Sequence, residues 1–261
     1  SPAMRDEKPR VLAWVSGGAA SVVAAKLAIA KYGNDRVLLV RCETGNEDED
    51  NARFERDASA WLGKETTILK AEKFDSVVDC WIKRKFMAGP KGAPCTTHMK
   101  VEPRLAFQHP TDIHVFGYTE DRADLTRFEK LRETYFELTV EAPLIETRVS
   151  KAAALAIVER AGLVLPRSYA MGFPNANCLQ TGCVKATSPD YWSLFRARFP
   201  ERFERMAGLS RQIGARLVRI DDERRFLDEL PEGWPMLSPL APSCDFLCAI
   251  AESEMKDSPH D

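Results

Sequence analysis

VLAWVSGGAASVVAAK, residues 11–26, is the stretch whose reading decides the fold. An apolar run ends in Ser16, Gly17 and Gly18, and after Ala19 and Ala20 a second serine, Ser21, opens an alanine-rich helical segment. This is the pattern of a buried strand turning tightly into a helix. Glycines at such a turn can take positive φ and bring bare backbone against a ligand. The first N–H groups of the helix are unpaired and lie at the positive end of its dipole. Residues 16–21 therefore read as a phosphate cradle, with the hydroxyls of Ser16 and Ser21 as additional donors. A plain connection built from small residues gives the same short string, so the surrounding chain must discriminate between them.

Working outward, residues 36–42 (RVLLVRC) read as a second buried strand ending at Glu43, Thr44 and Gly45. A helix over 49–62 and a short strand at 66–69 follow. Strand alternating with helix is the rhythm of a parallel sheet with crossover helices, so the expected class is α/β, a Rossmann-like parallel-sheet core with helices on both faces. Ligands of such sheets gather at the carboxyl ends of the strands, which puts SGGAAS and Glu43-Thr44-Gly45 on one rim. Residues 76–87 read as an amphipathic helix with a basic end. Thr96 or Thr97 is expected to cap a short helix from near His98, after a Gly- and Pro-rich loop that presents Cys95. A strand at 113–118 runs into TEDRADLTRFEKLRE, whose charge suits a solvated helix face, yet the run begins at a strand's carboxyl end, where Glu120, Asp121, Arg122 and Arg127 could meet a nucleotide. Further elements are a strand over 140–145, a helix over 151–161 capped by Ser150, and one helix over 190–206. Between the last two lies a long loop rich in turn formers, a length that is uncommon without a function. The expected organisation is a nucleotide-binding α/β domain over 10–165 and a cysteine-containing helical and loop extension over 166–250, packed on the same core.

Composition narrows the class. The 261 residues, 44% hydrophobic and 29% charged, suit a globular protein and exclude disordered and fibrous classes. The formal net charge of -2 gives no global argument for a nucleic-acid or membrane partner. No apolar run approaches the ~20 residues of a membrane span, and the charged first residues do not resemble a signal peptide, so a cytoplasmic location is expected.

Seven cysteines, an odd number without a secretory context, do not suggest a disulfide framework. Cys42 and Cys80 fall in strand-like and helical apolar patterns and read as small core residues. Cys95, Cys178, Cys183, Cys244 and Cys248 lie in loop-like surroundings. Their spacings are not those of a zinc knuckle, but thiolates converging from separate loops suit an iron–sulfur cluster or a structural zinc. Reactive-thiol chemistry is the competing use, and the sequence leaves the two open.

Several segments together resemble one family. SGGAAS after a strand resembles the pyrophosphate loop (PP-loop) of N-type ATP pyrophosphatases, the adenine nucleotide alpha-hydrolase-like proteins, within them the phosphoadenosine phosphosulfate (PAPS) reductase family. Glu43-Thr44-Gly45 resembles that family's Asp-Thr-Gly. CTTHMKVEP, from Cys95, looks like the paired-cysteine segment of its iron–sulfur members. FGYTEDRAD with Arg127 is similar to its Gly-x-Arg-x-Asp-Glu-x-x-x-Arg region, and NCLQTGCVK (177–185) to its later cysteine pair. The likeness spans about residues 11–248. Ala19 and Ala20 depart from the Lys-Asp common after the two glycines, Thr96 stands where a second cysteine would be, and the closing Glu-Cys-Gly-x-His is absent. In these respects the chain looks more like the phage and mobile-element branch.

What the resemblance implies is an enzyme of sulfur metabolism. ATP or an adenylyl sulfate, with Mg²⁺, would be bound by Ser16, Gly17, Gly18, Ala19, Ala20, Ser21, Glu43, Thr44, Gly45, Gly117, Tyr118, Arg122 and Arg127, with Ser16 and Ser21 also catalytic. Cys95, Cys178, Cys183 and Cys248 would ligate a 4Fe-4S cluster or, alternatively, zinc, and Cys244 would be the reactive thiol or a substitute ligand. Three readings stay open. The first is an adenylating sulfurtransferase acting on a nucleobase, nucleic acid or small acceptor. The second is a sulfonucleotide reductase that uses a thiol reductant and releases sulfite, and the third a non-catalytic nucleotide sensor. The sequence also leaves a homodimer open.

Overall fold

The computed structural model describes residues 7–89 and 92–235. Cys244, Cys248 and the end of the expected extension lie outside the described residues. Five strands make one parallel sheet: β1 (Val11–Trp14), β2 (Val37–Glu43), β3 (Thr66–Lys70), β4 (Ile113–Val115) and β5 (Thr139–Glu141), in spatial order β3-β2-β1-β4-β5. β1 is central, with Val11 opposite Val37 on one side and Ile113 on the other. Val11, Leu12 and Ala13 are buried, the environment of a strand covered on both faces by helices. The chain steps outward from β1 to β3 and returns to place β4 on the other side of β1. Between β1 and β4 the strand order reverses, which is where open α/β sheets form a ligand crevice. The architecture is the α/β, Rossmann-like sheet expected from the sequence.

The first helix, α1 (Ala19–Tyr32), starts directly after the glycines. Its buried Val22, Val23, Ala24, Ala25 and Ala28 pack on the sheet, and their small size lets the helix lie close. After β2 comes α2 (Asp50–Leu62), ended by Gly63 in the left-handed conformation. Then α3 (Val77–Arg84) begins at Ser76, whose Oγ accepts the Asp79 amide N–H at 3.1 Å, as an N-cap should.

The core has two parts. One lies between the sheet and its helices, within residues 11–158. The other is built mainly from residues 173–230 but also takes in Val77, Trp81, Met87, Ala93 and Met99. The segment bearing Cys95 thus packs with the cysteine-rich part of the chain, and its neighbourhood is set by long-range packing.

Four expected elements differ. The strand over 113–118 stops at Val115, and the one over 140–145 spans only Thr139–Glu141, because Pro143 starts a short helix, Pro143–Glu146. The single helix over 190–206 is two, Pro189–Arg198 and Pro200–Ile213, broken at Phe199, since the residue before a proline is driven from helical geometry. Instead of a helix capped by a threonine near His98, a helical run starts at Pro94 and reaches Phe107 through a π-helical turn, Thr97–Val101. A π turn widens the helix and redirects its side chains, and such turns concentrate at functional sites. Among the described residues no helix is long and apolar enough to cross a membrane.

His114, in the middle of β4, is fully buried, and its Nδ1 accepts the Trp14 indole N–H at 3.0 Å. Burial first, then the nearby Arg104 cation, push its pKa down to about 4. The unfolded chain therefore binds a proton on this side chain between the ordinary pKa of 6.5 and about 4, while the folded chain does not. Folding stability attributable to His114 is intact above pH 6.5 and is lost as the pH falls toward 4, by about 3 kcal/mol at most. Chemical denaturation of His114→Gln between pH 4 and 7 should show a shallower acid loss of stability than the parent chain; equal slopes would contradict this assignment.

Candidate functional site

At the carboxyl ends of β1, β2 and β4 opens a cleft of about 1560 Å³. Pockets for single small ligands usually measure about 300–1,000 Å³, so this one has room for a nucleotide and a second reactant. Its floor is the turn after β1. Gly17 is at φ +84°, a conformation that favours glycine. The Ser21 hydroxyl ties the turn together: it accepts the Ser16 amide N–H at 3.1 Å and donates to the Gly18 carbonyl at 2.9 Å. Ser21 is buried, and its hydroxyl shapes the cradle from within. Ser16, Gly17, Gly18, Ala19 and Ala20 line the cleft with it.

Gly117, just past β4, presses against the first turn of α1. A Cβ there would stand 2.7 Å from both the Cα and the N of Ser21. No side chain fits without moving backbone, so the absence of one at 117 is what lets the end of β4 and the first turn of α1 meet.

The loop after β2 forms the next wall. Glu43, Thr44 and Gly45 line the cleft, as do Tyr118 and Arg127 beyond β4. Arg122 is exposed and lies outside this lining. Burial works to raise the Glu43 pKa, but the Gly45 amide, which donates to its Oε1 at 3.0 Å, and the Arg41 guanidinium outweigh it and hold the carboxyl below its ordinary range. Arg127 is buried and donates to Asp124 Oδ1 at 2.9 Å. Burial lowers the Arg127 pKa, which Asp124 partly offsets.

Other contributors had no sequence signal. Asn51, on the first turn of α2, donates to the Ala176 carbonyl at 2.8 Å and to Glu47 Oε2 at 3.0 Å, beside Gly17. Tyr169 comes from the C-terminal part of the chain, and its Oη would lie 3.2 Å from a Cβ on Gly18. Arg56 and Arg205 are exposed cations on the rim. Lys151 and Arg202, less exposed than these two, add further positive charge to the lining.

Behind the β2 loop sits a second, small cavity of about 20 Å³, room for one water-sized group. Cys95, Cys178 and Cys183 all line it, together with Lys100 and Lys185. Sequence reasoning named these three cysteines, and the structure brings them together. Cys42, half-buried, lies in the main cleft instead, its thiol directed to the Lys100 carbonyl at 3.7 Å, so it is not wholly a core residue; Cys80 is fully buried, and burial pushes its thiol up to about 11. The loop bearing Cys178 and Cys183 is docked by hydrogen bonds to the β2 loop: Asn46 Nδ2 donates to Thr181 Oγ1 at 2.8 Å and the Gln180 amide to the Asn46 carbonyl at 3.1 Å. Cys178 has φ +60°, unusual for a residue other than glycine, and Gly182 leaves no space for a Cβ, which would stand 2.4 Å from the Trp192 ring. Among the described residues no group of three or more His, Cys, Asp or Glu side chains is already set to hold a metal ion. Cys95, Cys178 and Cys183 give this one cavity three sulfur-bearing side chains, the donor type that soft metal centres use.

Thr44 and Lys100 line both spaces. The π turn puts Lys100 in this shared wall, and the cleft and the thiols are therefore adjacent.

No family model and no curated protein matches the chain. Among solved structures it is similar to the U34-tRNA thiolase NcsA from Methanococcus maripaludis with its [4Fe-4S] cluster, at 14% identity and a TM-score of 0.40, over 79% of this chain and 72% of that one.

The cleft depends on Asp48. This carboxylate is buried, and it receives Arg167 through Nε at 2.7 Å and Nη2 at 2.6 Å, and Arg202 Nη1 at 3.0 Å. Burial would raise its pKa, but the two guanidinium groups hold the carboxyl far below the usual range. Asp48→Asn leaves both arginines short of their counter-charge and should cost about 3 kcal/mol of folding stability, read from the urea midpoint near pH 7; a change below about 0.5 kcal/mol, the usual limit for surface substitutions, would show that the clasp is dispensable.

Proposed function

We propose that the chain is an ATP-dependent sulfurtransferase of the PP-loop, PAPS reductase-like type, which adenylates an acceptor and replaces the activated oxygen with sulfur. The observation that carries this reading is the shared wall: Thr44 and Lys100 border both the phosphate-type cleft and the three-cysteine cavity. An activated acceptor and a sulfur centre could meet across it.

In this reading ATP lies with its phosphates on residues 16–21. The backbone N–H groups at the start of α1 receive the charge that develops on the pyrophosphate as the acceptor oxygen attacks the α-phosphorus. Ser21 holds the turn in the geometry that points those amides inward. Mg²⁺ would accompany the nucleotide and spread the same charge. Arg56 and Arg205 draw the polyphosphate or an anionic acceptor toward the mouth. The volume left beside a nucleotide accommodates a nucleobase or a small acceptor. Cys95, Cys178 and Cys183, with Cys248 or Cys244, would hold an iron–sulfur cluster or zinc; an iron–sulfur cluster, when bound, would present sulfide taken from a separate sulfur donor as the nucleophile, with AMP as the leaving group. Lys100 sits where it can steady negative charge passing between the two spaces.

The test uses full-length protein prepared without oxygen. Metal analysis should find iron and sulfide, or zinc, and incubation with ATP labelled at the α- and γ-phosphates, sulfide as sulfur donor and candidate acceptors should release labelled AMP and pyrophosphate with sulfur incorporated. Sulfite released from adenylyl sulfate, with no pyrophosphate from ATP, would replace this reading by a reductase; nucleotide binding without turnover would replace it by a sensor.

Gly117→Ala provides a structural check. The added methyl must push α1 from β4, so ATP affinity should fall at least tenfold by calorimetry while the circular dichroism spectrum is kept; unchanged affinity would remove residues 16–21 as the phosphate site.

A further inference from the structure

Tyr169 stands at the glycine turn but comes from a distant part of the chain. It sits on the short helix Arg167–Ala170, and it lines the main cleft together with Ser16, Gly17 and Gly18. Its hydroxyl is closely placed: a Cβ on Gly18 would stand 3.2 Å from Tyr169 Oη and 3.8 Å from Ser16 Oγ. Two hydroxyls thus converge on the side of Gly18 that carries no side chain. Gly18 is also the N-cap of the 14-residue α1 and gives its first turn no side-chain cap.

Neighbouring residues fix that placement from both sides. Arg167 holds Asp48 in the bidentate pair, and its own amide N–H donates to Asp50 Oδ2 at 2.8 Å. Beyond Tyr169, the Phe173 amide donates to the Ser168 carbonyl at 3.0 Å, and Phe173 is buried in the second core cluster. The hydroxyl therefore reaches the turn from a segment anchored at each end. A tyrosine in such a place gives the wall an apolar ring and the cleft a polar tip. Its O–H rotates to suit its partners and can donate to an anion.

We infer that Tyr169 is a phosphate-binding residue of the cleft: its hydroxyl donates to an oxygen of the polyphosphate held on residues 16–21, so that the C-terminal part of the chain completes the nucleotide site. The inference rests on the phosphate reading of the previous subsection and adds a residue that reading does not use. It also has a consequence for docking. The segment that carries Tyr169 clasps Asp48 and leads on to the loop bearing Cys178 and Cys183. A ligand that binds the docked arrangement better than an undocked one favours docking by mass action, so a bound polyphosphate ties this segment more firmly to the β1 turn.

The experiment uses the full chain, with ATP and inorganic pyrophosphate as probes. Tyr169→Phe removes one oxygen and keeps the ring. By calorimetry the variant should bind both probes about tenfold more weakly than the parent chain, the loss of one hydrogen bond to a charged group, while the ligand-free proteins melt alike. In the parent chain, pyrophosphate should slow amide hydrogen exchange in the peptide covering 167–173 as well as in the one covering 16–21. Should the variant melt lower, the exchange measurement decides alone. Probes that bind the variant as tightly as the parent, or that protect 16–21 and leave 167–173 unprotected, overturn this inference and leave the phosphate reading standing. A parent chain that binds neither probe overturns both.

Discussion

A buried carboxylate facing two guanidinium groups holds the working half of this molecule together. Asp48 lies just past β2, Arg167 precedes the cysteine-bearing loop, and Arg202 stands on the helix Pro200–Ile213. Taking one carboxylate out of water is costly, and only well-placed, multiply hydrogen-bonded partners offset that cost. Here the pairing from Arg167 is bidentate, and Arg202 adds a bond to the Leu179 carbonyl at 2.9 Å and stacks its guanidinium over Phe199 at 4.3 Å. A charge that needs both arginines ties three distant stretches of chain to one point.

The consequence is the placement of the cysteines. The clasp holds residues 167–202 against the β2 loop, the Asn46 and Gln180 hydrogen bonds add to the docking, and Cys178 and Cys183 line the same cavity as Cys95. Two close approaches then admit no side chain, Gly117 against α1 and Gly182 against Trp192. They act on different spaces: the first shapes the cleft, the second the cavity. The π turn at Thr97–Val101 joins them by carrying Cys95's segment on to Lys100.

How much was legible in the sequence follows from the range of the forces involved. The strand–turn–helix at 11–32 and the strands at 37 and 66 could be read because periodicity, glycine and burial all act over a few residues. Cys95, Cys178 and Cys183 were singled out by their loop-like surroundings, and the resemblance to a reductase family grouped them. The errors have equally local causes. Hydropathy alone carries one helix through Pro200, which breaks it, and extends a strand through Pro143, which starts a helix instead. The structure adds a bond pattern that the sequence does not show: the Ser21 hydroxyl accepts from the Ser16 amide and donates to the Gly18 carbonyl. Arg122 and Arg127 looked equivalent on a charged helix, yet Arg127 is buried beside Asp124 and Arg122 faces solvent.

By itself, then, the sequence determined the parallel α/β class, the glycine turn and the candidate thiols, because each is encoded in neighbouring residues. Only the tertiary structure decided that Asn51 and Tyr169 border the turn and that Thr44 and Lys100 line both the cleft and the cavity. Those relations join residues up to more than a hundred positions apart. They arise from packing and from the pairing of buried charge, and no local pattern in the chain records either.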